Sequence, residues 1–466
     1  MQHNRRAFLK TLGLATTGTM LMGPWDMHTV NAATKYPRNF IFCYFNGGWD
    51  QLLSLDPRNP KTFTDSSADI KKYQVELGYK RLATKFEDGS TLPRNIIRPS
   101  GSNISFGPAM APFAKHYNQS CVVRGVMMDT VAHDIGRRYF VTGEMPAGLA
   151  AKGSSWGTRI VAQEGEGNRQ IPNLVLRVET YNKNLPTFAT GLKATSTTDL
   201  IKTLRKGPDA LPAEYRKLLD DYRIASKNCD PTVLDEEGMM ALVQQAQKKA
   251  KSLVDSGLGD YFDFLNKSKP EMVKIKNRYN IASSTDAGAQ AALAFQSIKH
   301  GLAQCVTIEL ARGLDTHVNN WATDQPNIQQ RGWKALATLV DDLKKEKHPD
   351  PTLANKGKTL LDNTTIMCFS EFARTPKINS KDGRDHFLVS SCLLVGAGIP
   401  HNKVIGKTAD IGMSAYQVNP NTGAAVKTGG VFLNPQNILA SIMTGAGYDS
   451  SDLREKPLKV LSNGKA

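Results

Sequence analysis

The chain has 466 residues, 40% of them hydrophobic and 22% charged, with a formal net charge of +16 and a pI near 9.4. It exceeds the usual single-domain length and is apolar enough to bury a large core. No apolar run reaches the ~20 residues of a bilayer span, no C-x-x-C pair offers a thiolate metal or redox motif, and no nucleic-acid module or aromatic-interleaved basic stripe appears, which sets DNA and RNA aside.

Arg5-Arg6-Ala7-Phe8-Leu9-Lys10 opens the chain, followed by a mildly apolar stretch over 11–22 and the small residues Val30-Asn31-Ala32. A charged start, a short apolar stretch and a small-residue cut site make an export leader, and the paired arginines point to the twin-arginine route. The expectation is a leader over 1–32 and a periplasmic or secreted protein over 33–466. Five of the six cysteines, Cys43, Cys121, Cys305, Cys368 and Cys392, lie inside apolar, strand-like runs, as small buried hydrophobes do. The basic excess suits an anionic substrate, a peripheral contact with an anionic envelope surface, or simply a solvated basic face.

The first strand signal is 40–45, a β-branched and aromatic run ending in Gly47-Gly48-Trp49-Asp50. A Pro-, Lys-, Asp- and Gly-rich excursion over 56–105 precedes a short helix over 108–117 and a strand over 121–124. A helix over 133–142 and a strand over 173–178 come next. Residues 207–285 are mostly polar with helical period, and read as a helical insertion. An alanine-rich helix over 289–302 leads into a strand over 305–310, which runs into Arg312-Gly313-Leu314-Asp315-Thr316-His317. An amphipathic helix over 333–345 precedes the strand 365–369, which ends at Ser370-Glu371-Phe372; a last strand covers 389–395. Fully apolar short runs suit strands buried on both faces of a parallel sheet, and such sheets bind ligands where their strands end.

Three acidic groups delivered to one sheet edge repel one another unless a cation lies among them. Asp315 and His317 are two apart, so extended backbone points both to one side. Glu371 follows a strand directly, and Asp385-His386 in Gly383-Arg384-Asp385-His386 precede another. Oxygen and imidazole donors without thiolate suit one or two divalent ions: zinc, manganese, magnesium or calcium. Arg374 offers a planar fork for phosphate or sulfate oxygens, or a partner for Glu371. His133 near a helix start serves as general base, metal ligand or structural residue.

The twin-arginine leader, N-G-G-W-D, L-D-T-H, S-E-F-A-R-T-P and G-R-D-H occur in the order seen in the domain-of-unknown-function 1501 family, a distant relative of the alkaline-phosphatase and sulfatase superfamily. The resemblance implies an α/β fold: an alkaline-phosphatase-like three-layer α/β/α sandwich with a mostly parallel central sheet and a helical insertion. It implies metal ligands at Asp50, Asp315, His317, Glu371 and His386, with Asp385 a ligand or an orienting carboxylate behind His386. It also implies an anionic small-molecule or polymer substrate. The chain departs from the pattern at Ala132-His133, where relatives often carry Ser-His, leaving Thr130 or an activated water as nucleophile. It departs again at Glu371-Phe372, which replaces an Asp-His pair, and at Gln51 and Ala373. Two functions follow: an exported metal-dependent hydrolase of phosphate or sulfate esters, with Thr130, His133 and Arg374 catalytic, or a non-catalytic envelope binding or assembly protein keeping the same fold.

Overall fold

A computed structural model describes residues 36–204 apart from 168, 256–462, and a few isolated positions between them. The leader expected over 1–32 lies outside the described residues, as does most of the helical insertion expected over 207–285.

Eight strands form one sheet: β1 Asn39–Asn46, β2 Ser120–Met127, β3 Asn173–Leu176, β4 Leu192–Ala194, β5 Cys305–Arg312, β6 Thr364–Phe369, β7 Val389–Gly396 and β8 Lys403–Ile405. Their spatial order is β8-β2-β7-β6-β1-β5-β3-β4. Every neighbouring pair is parallel except the two that involve β7. β1 lies in the middle, registered as Cys43 against Ile308 of β5 and Cys368 of β6.

Strand β1 shows why these runs form a two-sided sheet. Side chains alternate across a strand, and here both sets are apolar. Ile41, Cys43 and Phe45 enter one core, while Phe40, Phe42 and Tyr44 enter the other. The first core is closed by α3 Ala287–Lys299 and α4 Trp321–Lys345, through Leu293, Trp333 and Leu336. The second is closed by α1 His133–Thr142, α2 Trp156–Glu164 and α5 Pro435–Gly445, through Phe140, Ile160 and Leu439. The result is the three-layer α/β/α sandwich with a mostly parallel sheet. The five cysteines singled out above are buried free thiols, and among the described residues no helix is long and apolar enough to cross a membrane.

Two helices differ from expectation. The segment 108–117 is two 3-10 turns, Pro108–Met110 and Ala114–Gln119, rather than one α-helix. α4 starts twelve residues before position 333 and runs through Pro326. The added turns place Trp321 and Gln325 beneath the sheet edge, where both are fully buried.

The edge that matters combines the carboxyl ends of β1, β2, β5 and β6 with the amino end of the reversed strand β7. A two-residue ribbon, Ala373–Arg374 paired with His386–Phe387, sits on it. At the end of β1, Gly47 and Gly48 have φ of +114° and +80°. A Cβ on Gly47 would lie 2.6 Å from the Leu314 nitrogen, and one on Gly48 would lie 2.6 Å from the Phe372 ring. Only glycine combines that backbone with such close approach.

Candidate metal centre

Asp315 is the hub. Its Oδ1 lies 2.9 Å from His317 Nε2, 3.1 Å from His386 Nε2 and 3.3 Å from His133 Nε2. Arg374 Nη2 donates to the same oxygen at 2.5 Å. The three histidines arrive from different elements: His133 from the first turn of α1, His317 from the loop after β5, and His386 from the ribbon before β7.

The other nitrogen of each ring is held by a group that only accepts. His133 Nδ1 donates to Glu371 Oε1 at 2.8 Å, His317 Nδ1 to Asp385 Oδ1 at 2.9 Å, and His386 Nδ1 to the Val131 carbonyl at 2.6 Å. Carboxylates and carbonyls cannot donate, so each neutral imidazole carries its proton on Nδ1 and turns its Nε2 lone pair toward Asp315. His317 Nε2 and His386 Nε2 are 2.9 Å apart. Two lone pairs at that distance, beside a carboxylate oxygen, repel unless a proton or a cation lies between them.

This is the donor arrangement of a metal site: imidazoles backed by acceptors, plus a carboxylate. His133, Asp315 and His386 bring one donor atom each within 4.8 Å of one another, and His317 joins through Asp315 and His386. Tetrahedral zinc, with bonds of about 2.0–2.1 Å, needs its donors roughly 3.3 Å apart. The contacts of 2.9 to 3.3 Å are close to that spacing.

The remaining sequence candidates take supporting places. Glu371 is fully buried; besides His133 it accepts from the Gly47 amide at 2.8 Å and from Ser370 Oγ at 3.0 Å. Asp385 backs His317 rather than its neighbour His386, and also accepts from Asn379 Nδ2 at 3.1 Å. Asp50 is fully buried with both oxygens engaged: Oδ1 accepts from the Leu52 amide, Oδ2 from Trp321 Nε1 at 2.7 Å and pairs with Arg384 at 2.9 Å. Arg384 lies 4.6 Å over the Trp321 ring and donates to the carbonyls of Thr375, Glu76 and Leu77. Asp50 is thus the counterion of a buried arginine.

Arg374 is 1% exposed. Its five donors go to Asp315, His317 Nε2 and the carbonyls of Gly47, Gly48 and Arg384. None is left for a substrate oxygen, and its partner is Asp315 rather than Glu371. Thr130 Oγ accepts from the Ala132 amide at 3.1 Å, completing a turn before α1.

Phe372 is fully buried. Its ring centre lies 4.3 Å from that of His386 and 4.8 Å from that of His133, so it forms an apolar floor under both. Gln325 was not legible as a site residue. From inside α4 it accepts from the Asp50 amide and donates to the Leu314 and Gly48 carbonyls, tying together the loops after β1 and β5. A glutamine at a core-facing helical position was its one available signal.

The electrostatics follow from these contacts. Burial raises the Asp315 pKa, but the hydrogen bond and charge of Arg374 outweigh it and hold the carboxyl well below the usual range. The hydrogen bond from His317 lowers that of Asp385. Glu371 raises the pKa of His133, whereas burial lowers that of His386. The edge is open: the Asp315 side chain is 46% exposed and the three rings are partly exposed.

Residues 37–422 match the family described as "Protein of unknown function (DUF1501)", and the chain belongs to that family. No curated protein matches it. Solved structures similar to it include the lipoteichoic acid synthase LtaP from Listeria monocytogenes, at 8% identity and TM-score 0.35, over 92% of this chain and 77% of that one. BT4656, in complex with its substrate D-glucosamine-2-N,6-O-disulfate, is similar at 11% identity and TM-score 0.36, over 92% and 81%. The phosphonate monoester hydrolase SpPMH from Silicibacter pomeroyi is similar at 12% identity and TM-score 0.29, over 92% and 77%. Likeness at this level says nothing of chemistry, which has to come from the site itself.

Proposed function

We propose, for this member of the DUF1501 family, an exported metal-dependent hydrolase of phosphate or sulfate esters. One observation carries the reading: three imidazoles, each fixed through Nδ1 by an acceptor, turn Nε2 toward a single carboxylate oxygen at an open sheet edge. A divalent ion bound there supplies Lewis-acid polarisation of an ester oxygen and a lowered pKa for water. Asp315 and His386 belong to two overlapping donor groups, one completed by His133 and the other by His317, so the residues suit one ion or two. Glu371, Asp385 and the Val131 carbonyl aim the rings, while Arg374 anchors Asp315 and offsets its charge. Residues 1–32 act as the leader in this reading, and replacing Arg5 and Arg6 with lysine is expected to stop export.

The alternative is an envelope binding or assembly protein that keeps the fold without turnover. It is favoured by the turn made by Thr130: among the described residues no hydroxyl or thiol hydrogen-bonds to the cluster, so attack would fall to water. Plasma mass spectrometry of chelator-free protein, with a screen of phosphate and sulfate esters, separates the readings. Stoichiometric metal and turnover, both lost in Asp315→Asn and in His386→Ala, are expected. Metal without turnover, or no metal in the wild type, refutes the hydrolase reading and moves the protein to the non-catalytic class.

A further inference from the structure

Two arginines at the same sheet edge are more than their carboxylate needs. The Glu309 side chain, on β5, is 2% exposed and has both oxygens engaged. Oε2 accepts from Arg177 Nε at 2.7 Å and from Arg312 Nε at 2.9 Å, while Oε1 accepts from Asn46 Nδ2 at 2.8 Å. Among the described residues Glu309 is the one acidic partner of either arginine, and each donates to it through Nε. One guanidinium would neutralise the buried carboxylate. The second leaves a positive charge over, and among the described residues the Nη groups of both forks are uncommitted. The Arg177 side chain is 19% exposed and that of Arg312 58%, so solvent reaches both.

Two backbone departures build this arrangement. The register of β1 on β5 slips between Tyr44, opposite Glu309, and Phe45, opposite Ala311. That bulge puts Leu310 and Ala311 together in the first core and turns Arg312 to the face of Glu309. In an unbroken strand, residues three apart point to opposite faces. Arg177 directly follows β3 with a φ of +62°, a conformation unfavourable for any residue but glycine and concentrated where sites store strain.

Contacts tie the pair to the metal centre. Asn46, which holds Glu309, is followed by Gly47, whose amide donates to Glu371 behind His133. The Gly47 carbonyl accepts from Arg374, the anchor of Asp315. Arg312 is three residues before Asp315, and three residues of chain span at most ~11 Å. Glu179, two residues after Arg177, is spent on Arg137 and Arg138.

Resting on the hydrolase reading, we propose that Arg177 and Arg312 form a second anion subsite beside the metal centre. The substrate then carries a further sulfate, phosphate or carboxylate group, a few bonds from the ester that is cleaved. Planar guanidinium forks match such oxyanions in pairs of hydrogen bonds.

The test is calorimetric binding of ω-carboxyalkylphosphonates of increasing length to the full-length zinc-loaded protein. Each is compared with the alkylphosphonate of equal length, which lacks the carboxylate. At the best length the carboxylate should tighten binding about tenfold, or ~1.4 kcal/mol. That gain should fall to about twofold or less in Arg312→Gln and in Arg177→Gln, each of which leaves Glu309 one arginine. A gain under about twofold at every length in the wild type overturns the proposal. So does a gain kept in Arg312→Gln, which would place the carboxylate on the metal or on another cation. Both results leave the hydrolase reading intact. Failure of every phosphonate to bind removes the anion-binding centre, and the hydrolase reading falls together with the subsite.

Discussion

Glu371→Gln removes one buried charge at nearly constant shape. Glu371 Oε1 accepts from His133 Nδ1 and the Gly47 amide, while Oε2 accepts from Ser370 Oγ. A glutamine can keep its oxygen toward the first pair and donate its amide to Ser370 Oγ, whose own proton then goes to the Phe45 carbonyl, 2.6 Å away. The geometry survives, and the loss is the carboxylate's push on the His133 ring. Mutating the group behind a metal-bound histidine typically costs 10–100-fold in metal affinity, or about 1.4–2.7 kcal/mol. Glu371→Ala differs: it leaves the Gly47 amide and His133 Nδ1 without acceptors, each costing about 1–3 kcal/mol, and should lower stability as well. Zinc affinity is read by competition with a chromophoric chelator, and stability by denaturant unfolding of metal-free protein. The expected pattern is weaker zinc binding with near-native stability in Glu371→Gln, and loss of both in Glu371→Ala. Zinc affinity within twofold of wild type in Glu371→Gln would refute a contribution of the carboxylate's charge to metal binding through His133.

Asp385→Asn should weaken zinc through His317 by a similar factor, checked by the same competition. Asp50→Asn leaves the fully buried Arg384 without its counterion, and breaking such a pair costs about 3–5 kcal/mol; unfolding should shift by that order while the folded protein keeps its metal, whereas metal loss in that folded protein would make Asp50 a ligand. Gly48→Ala drives a Cβ into the Phe372 ring at a φ of +80°. It should cost about 1–3 kcal/mol and also loosen metal binding, because that ring underlies His133 and His386. His116 supplies a pH dependence away from the site. It is 2% exposed, packs on Phe113 and has its Nε2 3.5 Å from Asp341 Oδ1, and burial pushes its pKa down to about 4. The unfolded chain then binds the extra proton first, so this residue's contribution is complete above pH ~6.5 and is lost as pH falls toward 4, of order 3 kcal/mol in all. Denaturation series from pH 7.5 to 4.5 should show a shallower slope in His116→Phe; an unchanged slope would refute this assignment.

The strands were legible because burial on both faces leaves a plain trace, short runs of β-branched and aromatic residues bounded by glycine. The 40–45, 305–310 and 365–369 runs fall within β1, β5 and β6. The helix expected over 133–142 is α1, bound for bound. The 108–117 and 333–345 readings were less close, because 3-10 turns and the proline-containing early turns of a helix are decided by what they pack against.

From the sequence alone came the doubly buried sheet, the glycine pair at the end of β1, and the delivery of Asp50, Asp315, His317 and Glu371 to one edge; the family resemblance added His133, Asp385 and His386. Spacing carries that far, since a residue within a few positions of a strand end must emerge at that end. The division of labour came only from the tertiary structure. Asp315 and Glu371 each follow a strand, yet one stands open among the histidines and the other is buried behind a ring. Asp50 has the same kind of position and instead neutralises Arg384. Which carboxylate faces an open centre and which backs an imidazole or an arginine depends on the partner that a distant loop brings to it. Burying a charge requires such a partner, and one-dimensional spacing does not record it.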